Sequence, residues 1–586
     1  MTTPKPGFPP QPPRHDLEVY VARQHLGEPV ARVVGALSSY GRLNIKEINQ
    51  KTMLGLNATK SAVVVLCQLN CLYHWKVKKD FIYQLNPEGL QLLMHAGDII
   101  DHIKKLHGEG AAQIIQNVLA NGSVRIKDYC GTGEDENLED QTHFFRLFSE
   151  KWLMRLQPKD SRPITEVWDE IFHEVLQKIP RSSSVSEVKR VNEAKDKAKL
   201  KLMESLEEGL APKDLYNTQN GVKRLKPDLV VKVNWSRYLK HLRTEAIVNL
   251  AASRVGAVSA KILELGLKHI EAGTPDPSVV HPFLQIPGLI NDPEEERSFI
   301  NSVENKLVED RKIVFAVHDV VRLLPPYIDV SNSITTKAKR VAEEAAAQVS
   351  TKRIKTEDGE AIPVNSSTTE QYESKVDDTS ISDMVQRHLD LLARGTSVSF
   401  LTEASPGNFL VPFTALIKTL KEQYMETIVK STFGDHAFRV LRCLKQQRVG
   451  DEKSISNAVL LREKTVRNEL YKLTQLNMVE IQEVPRSADR AASKTFFLFR
   501  HNPRHSFDFL KESLLYDMVK VLENIKDFKE DHKILLAKCE REDVKGHEEE
   551  LLSSQEFKTL RMLQNREIEN MTRFSRLKNL YNALNL

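Results

Sequence analysis

The chain has 586 residues, 40% of them hydrophobic and 28% charged, with a formal net charge of +4. That length exceeds what one hydrophobic core supports, so three to five domains are expected, and so small a net charge confines any nucleic-acid case to local patches. The five cysteines, Cys67, Cys71, Cys130, Cys443 and Cys539, are scattered and odd in number, with no second Cys or His pair at zinc spacing; they read as structural thiols in a reducing compartment.

The opening MTTPKPGFPPQPPRHD is proline-rich and polar and lacks the apolar core of a signal peptide. No stretch approaches the roughly 20 apolar residues that span a bilayer. A soluble intracellular protein with a disordered tail over 1–14 is expected.

The first folded segment reads as helices over 17–26 and 30–40, with Val30, Val33, Val34 and Leu37 at helical spacing and Gly41 as a stop. A short helix follows over 45–52, then a turn through Gly55 and Asn57 and a helix over 58–70. LYHWKVKK and DFIYQLN then make a hairpin. Helix, short helix, turn, helix, hairpin is the winged-helix order, and its outer helix has the shape to enter a major groove or to dock on protein.

The order recurs near the other end. His436 to Gln446, a short helix marked by Ile455, Ala458 and Val459, and Lys464 to Gln475 are the helices; MVEIQEV and KTFFLFR are the hairpin around PRSADRAAS. The segment LCQLNCL at 66–72 aligns with LTQLNMV at 473–479, which marks an internal repeat of domain size. Two weaker copies lie between. One is expected to have helices over 111–121, 126–129 and 144–156, the last carrying Phe145, Phe148, Trp152 and Leu156, with a strand over 229–233 closing its wing after a polar insertion over 158–226. The other is expected to have helices over 238–254, 257–270, 317–324 and 382–393, with SVSFL and NFLVPF as its hairpin. An insertion over 331–380, rich in Ala, Glu, Lys, Ser and Thr, cannot bury enough apolar surface to offset chain entropy and is expected to be disordered.

In the last 80 residues Leu510, Leu514, Met518, Leu522 and Ile525, and again Met571, Phe574, Leu577, Tyr581 and Leu584, step by three or four. This predicts a two-helix coiled-coil hairpin turning near Gly546.

No catalytic constellation is found: no GxxxxGK[ST] loop, HExxH, G-x-S-x-G elbow or paired CxxC. The acidic run over 133–140 lacks the alternating ligand spacing of a calcium loop. No metal, cofactor or small-molecule substrate is expected. The candidates for DNA contact are Lys76, Lys78 and Lys79 on the first wing, Arg462, Lys464, Arg467 and Lys472 on the last module's outer helix, and Arg486, Arg490 and Lys494 on its wing; all suit phosphate neutralisation and none predicts base reading. Two basic clusters, Lys337, Lys339 and Arg340, then Lys352, Arg353 and Lys355, suit nuclear import. Ordinary solvated charge or a protein-docking face remains open for each.

At this point four passages carry a resemblance: QHLGEPVARVVGAL, YLKHLRTEAIVNLAASRVG, FGDHAFRVLRCL and ELYKLTQLNMVEIQEVPRSADRAASKTFFLF. They resemble the largest subunit of the RNA polymerase III initiation heterotrimer, the 82 kDa subunit of yeasts and 62 kDa subunit of mammals. The resemblance implies a mainly α fold with small β-wings: four tandem extended winged-helix domains plus a C-terminal coiled-coil hairpin. It also implies a nuclear, non-catalytic subunit of DNA-directed RNA polymerase III, held on the polymerase clamp with two smaller heterotrimer subunits. Contact with transcription factor IIIB and largely non-specific contact with promoter DNA follow, in initiation and promoter opening at tRNA and 5S rRNA genes. The family is related to transcription factor IIE alpha, whose zinc ribbon has no Cys pairs here to build it.

The expected division is winged helix 1 over 15–95, winged helix 2 over 96–233, winged helix 3 over 234–415, winged helix 4 over 416–502 and the hairpin over 503–586. A free-standing winged-helix DNA-binding regulator is the alternative, and a proteasome-lid or initiation-factor scaffold a third. The terminal hairpin and modest charge favour a docked subunit over the regulator, and four winged-helix copies speak against the scaffold.

Overall fold

The computed structural model describes residues 12–131, 138–179, 187–208, 215–219, 222–274, 282–290, 292–326, 328, 330, 333, 381–395, 398–485 and 495–586. The chain is mostly helical and forms two compact units. One holds Met1–Tyr238, Ser278–Ile290 and Gln423–Leu586; the other holds Leu239–Pro277 and Asn291–Glu422.

In the first unit, helices α1 (Pro13–Leu26) and α2 (Glu28–Tyr40) precede strand β1 (Leu43–Asn44), α3 (Ile45–Thr52), α4 (Leu56–Gln68), β2 (Leu72–Val77) and β3 (Asp80–Leu85). The sheet order is β1-β3-β2, all antiparallel. Val33, Val34 and Leu37 of α2 meet Ile48, Val63, Leu66 and Leu72 in a closed core, so each short element contributes one or two apolar residues to one cluster. Polar side chains fix the ends. Asn44 accepts from the N–H groups of Lys46 and Glu47, and Glu47 accepts from the Asn44 N–H, a reciprocal cap that starts α3.

After α5 (Pro87–His107) and α6 (Glu109–Asn121) the pattern repeats as β4 (Val124–Arg125), α7 (Ile126–Cys130), α8 (Leu138–Ser149) and β5 (Leu153–Arg155). Here the wing is interrupted. Helices α9 (Ile164–Lys178) and α10 (Glu187–Glu208) and the hairpin of β6 (Tyr216–Gln219) with β7 (Val222–Leu225) intervene before β8 (Val230–Val233) completes the sheet in the order β4-β8-β5. The predicted closing strand is therefore present. The predicted helix over 144–156 is not: α8 ends at Ser149, Lys151 turns left-handed at φ 64, and the chain enters the sheet at Leu153, just after the buried Trp152. Phe144 and Leu147, not Phe145 and Phe148, are the buried pair of α8.

The second unit takes most of α11 (Trp235–Arg254), then α12 (Ala257–Glu271), α13 (Pro293–Glu309), β9 (Val314–Ala316), α14 (Val317–Leu323), α15 (Ile381–Ala393), β10 (Thr402–Ser405) and β11 (Asn408–Leu410), with sheet order β10-β11-β9. The hairpin begins later than SVSFL predicted. Phe400 and Leu401 are buried just before the first strand, so their apolarity serves the core and not the ladder. His388 is held on both ring nitrogens, by Ser259 at 2.9 Å and Ser333 at 2.6 Å.

The helical run α16 (Phe413–Gln447), two helices meeting at the non-helical Gly434, leads into β12 (Val449–Gly450), α17 (Glu452–Val459), α18 (Glu463–Gln475), β13 (Val479–Pro485) and β14 (Thr495–His501), back in the first unit. This module copies the first in detail. Asp451 and Ser454 form the reciprocal cap. Leu460 ends α17 at φ 58 as Met53 ends α3 at φ 54. Asn477 and Asn70 turn left-handed at φ 52 and 55, and in each the next N–H reaches five residues back, Met478 to Leu473 and Cys71 to Leu66. Asn502 before Pro503 caps its following helix as Asn86 does before Pro87.

A further regularity links the modules. Each core helix is preceded by another helix across a glycine: Gly27, Gly108, Gly256 and Gly434, with φ of 90, 89, 131 and 86° and ψ within about 20° of 180°. That region of backbone space is open only to glycine. Four joints of the same kind extend four modules by one helix each.

The chain closes with α19 (Pro503–Asp531), α20 (Lys533–Cys539), α21 (Glu548–Leu551) and α22 (Ser554–Asn585). Lys529 pairs with Glu567 and Lys538 with Glu556, so α19–α20 and α22 run antiparallel as a hairpin. Leu510, Leu514, Met518, Leu522 and Ile525 are buried as predicted. So are Phe574, Tyr581 and Leu584, whereas Met571 faces outward at 44% exposure. Leu17 and Val21 of α1 belong to the same cluster as Leu514, Met518 and Leu584. No helix among the described residues is long and apolar enough to cross a membrane.

Candidate nucleic-acid and partner interface

The outer helix of a winged helix is the element it offers to a ligand, and α18 and α4 hold that place in two modules. In α18 the buried stripe is Val466, Glu469, Leu470 and Leu473, which leaves Arg462, Lys464, Arg467 and Lys472 exposed. Arg462 is the N-cap and Lys464 lies in the first turn, so both stand at the end that meets a groove. Neither makes an ion pair among the described residues. Arg467 is engaged: its Nε and Nη2 reach Glu452 at 2.9 and 2.7 Å, a fork that ties α18 to α17 and raises the guanidinium pKa. Lys472 pairs with Glu469 at 2.9 Å. Of the four predicted cations, two face out uncommitted and two are bound within the module.

The wing of the first module is a two-residue turn. Val77 pairs with Asp80, which leaves Lys78 and Lys79 at the tip, Lys78 at φ 55. Lys76, Lys78 and Lys79 are all exposed. Their surroundings differ from those of α18. Val77 and Phe81 are exposed beside them, and α4 presents Leu56, Val64 and Val65 with one cation, Lys60. Sequence reasoning missed this apolar face. The signal was present: Leu56, Lys60 and Val64 step by four along a line separate from the core stripe of Thr59, Val63 and Leu66.

Arg486, Arg490 and Lys494, and the import candidates Lys337, Lys339, Arg340, Lys352, Arg353 and Lys355, lie outside the described residues, as does the insertion over 331–380 expected to be disordered, Ser333 excepted. Cys67 and Cys71 do not share a helix face, because α4 ends at Gln68. Burial pushes their thiols up to about 11 and about 12, which makes them unreactive. Among the described residues no group of His, Cys, Asp and Glu could hold a metal ion.

Four family models match the chain in consecutive stretches. They are the helix-turn-helix domain of RNA polymerase III subunit RPC82 over 16–77, RNA polymerase III subunit RPC82 over 142–420, the C-terminal winged-helix domain of POLR3C over 425–501, and the helical hairpin domain of DNA-directed RNA polymerase III subunit RPC3 over 534–583. The DNA-directed RNA polymerase III subunit RPC3 of Scheffersomyces stipitis is 51% identical, over 97% of this chain and 97% of its own length. The chain belongs to the RNA polymerase III subunit RPC3 family. RPC3 of Candida albicans is 46% identical over 98% of both chains, and RPC3 of Saccharomyces cerevisiae strain S288c is 32% identical over 97% of this chain and 93% of that one. As an RPC3 protein it is a non-catalytic accessory subunit that associates with the polymerase. The family's winged-helix and hairpin descriptions agree with the modules and the α19–α22 hairpin seen here.

Proposed function

We propose that this subunit acts in transcription initiation, on the polymerase clamp with two smaller heterotrimer subunits and transcription factor IIIB, and supports promoter opening at tRNA and 5S rRNA genes by non-specific contact with DNA. The work takes place in the nucleus. The basic clusters at Lys337, Lys339 and Arg340 and at Lys352, Arg353 and Lys355 serve its import. The reading divides the chain at 15–95, 96–233, 234–415, 416–502 and 503–586.

The observation that carries the DNA contact is the pair Arg462 and Lys464, exposed at the N-terminal end of α18 with no acidic partner among the described residues. Two cations at that end neutralise phosphates without reading bases. Arg486, Arg490 and Lys494 extend the same cluster along the chain. The lysines of the first wing sit among exposed apolar side chains and fit a different partner. Polymerase carrying Arg462→Glu with Lys464→Glu should open promoters poorly, while its elongation on pre-opened templates stays normal. Normal opening would remove α18 from the reading.

A further inference from the structure

The first and fourth modules share caps, left-handed turns and strand order, yet they offer opposite surfaces. Where α18 shows arginine and lysine, α4 shows Leu56, Val64 (62% exposed) and Val65. The turn before α4 ends in Met53, 86% exposed and held left-handed. The wing adds Val77 and Phe81, the latter 50% exposed. Single exposed apolar residues are ordinary. Six spread over the turn, the outer helix and the wing of one small module are a docking surface.

The charge around them is mostly positive. Residues 43–86 hold Lys46, Lys51, Lys60, Lys76, Lys78 and Lys79 against two acids. One of the two, Glu47, is bound into the cap of α3. A DNA backbone would meet the lysines but leave Met53, Leu56 and Val64 against phosphate and water, with no gain from their burial. A protein segment with apolar anchors flanked by aspartate or glutamate satisfies both halves of the surface.

We infer that the turn, outer helix and wing of the first module bind an acidic, apolar-anchored segment of another polymerase subunit. The inference rests on membership of the polymerase and not on the DNA contact of α18, so loss of that contact leaves it standing. The test places the photoreactive residue p-benzoylphenylalanine at Val64 in the assembled polymerase III, crosslinks it with and without promoter DNA, and sequences the adduct. The expected adduct is a protein segment with several acidic residues within about ten positions of the crosslink, formed equally without DNA. In the same assembly Lys60→Glu with Lys79→Glu should cut the adduct at least fivefold. Because these residues are exposed, the folded chain should keep its melting temperature. A DNA adduct, a protein adduct without excess acid, an adduct insensitive to the lysine changes, or no adduct would each overturn the inference.

Discussion

His95 accepts a hydrogen bond on Nε2 from Nδ2 of Asn582 at 2.9 Å, although 487 residues separate them in the chain. The other ring nitrogen donates to the carbonyl of Gln91 at 2.9 Å, which assigns the tautomer. The ring is 1% exposed, with Trp235 and Tyr238 at 5.1 and 5.8 Å. Asp98, on the same helix, pairs with Lys578 next to it.

Burial, with Lys578 nearby, holds the His95 imidazole down at about 4. The unfolded imidazole titrates near 6.5, so between these values the unfolded chain binds more protons and stability falls as pH drops. Between pH 7 and pH 5 the loss from this one group is about 2 kcal/mol. Protection factors at residues 578–586, taken against the intrinsic exchange rate at each pH, should fall over that range in the native chain and much less in His95→Gln. His15 and His25, also lowered by burial, act in the same direction, which makes the comparison with the variant necessary.

Two glycines near one another separate backbone strain from space. A Cβ at Gly97, inside α5, or at Gly108, at its end, would meet nothing within 4 Å. Gly97 is helical, so Gly97→Ala should stabilise by up to about 1 kcal/mol. Gly108 lies at φ 89 and ψ −177, so Gly108→Ala should destabilise by about 1–3 kcal/mol. Denaturation midpoints of the two variants should move in opposite directions; shifts of the same sign would remove the joint from the account of the fold.

Leu460 ends α17 left-handed while 88% exposed, so it bears the strain of that conformation and buries nothing in return. Leu460→Gly should slow exchange in α17 and α18 by an amount equal to about 1 kcal/mol.

Glu452 engages the exposed Arg467 guanidinium through a forked contact. Glu452→Gln should free the guanidinium with little change in stability, because so exposed an ion pair is screened by solvent. The slope of DNA affinity against salt should then steepen by about one counterion. An unchanged slope would show that Arg467 lies outside the contact.

Much of this was legible because short apolar stretches at helical spacing, bounded by caps, admit few foldings. The match of LCQLNCL with LTQLNMV found a real equivalence, down to the left-handed asparagine in each. The run from Phe144 to Leu156 misled because a helix end followed by a buried strand keeps apolar residues at similar spacing; only the turn at Lys151 divides them. The four joints were visible as HLGEP, LHGEG, RVGAV and TFGDH, each a glycine before a new helix, but one glycine carries no orientation by itself. For the site, which cations face outward followed from helical spacing. That Arg467 is engaged by Glu452 did not, because the partner lies on another helix 15 residues away.

The sharing of one core by α1 and the terminal hairpin sets an order on biosynthesis. Leu17 and Val21 leave the ribosome nearly 500 residues before Leu514 and Met518, their companions in that cluster. At about 5–20 residues per second the interval is roughly half a minute or longer. Through it Leu17 and Val21 stand without those companions, and a chaperone that shields apolar side chains would find them waiting on the first helix emitted.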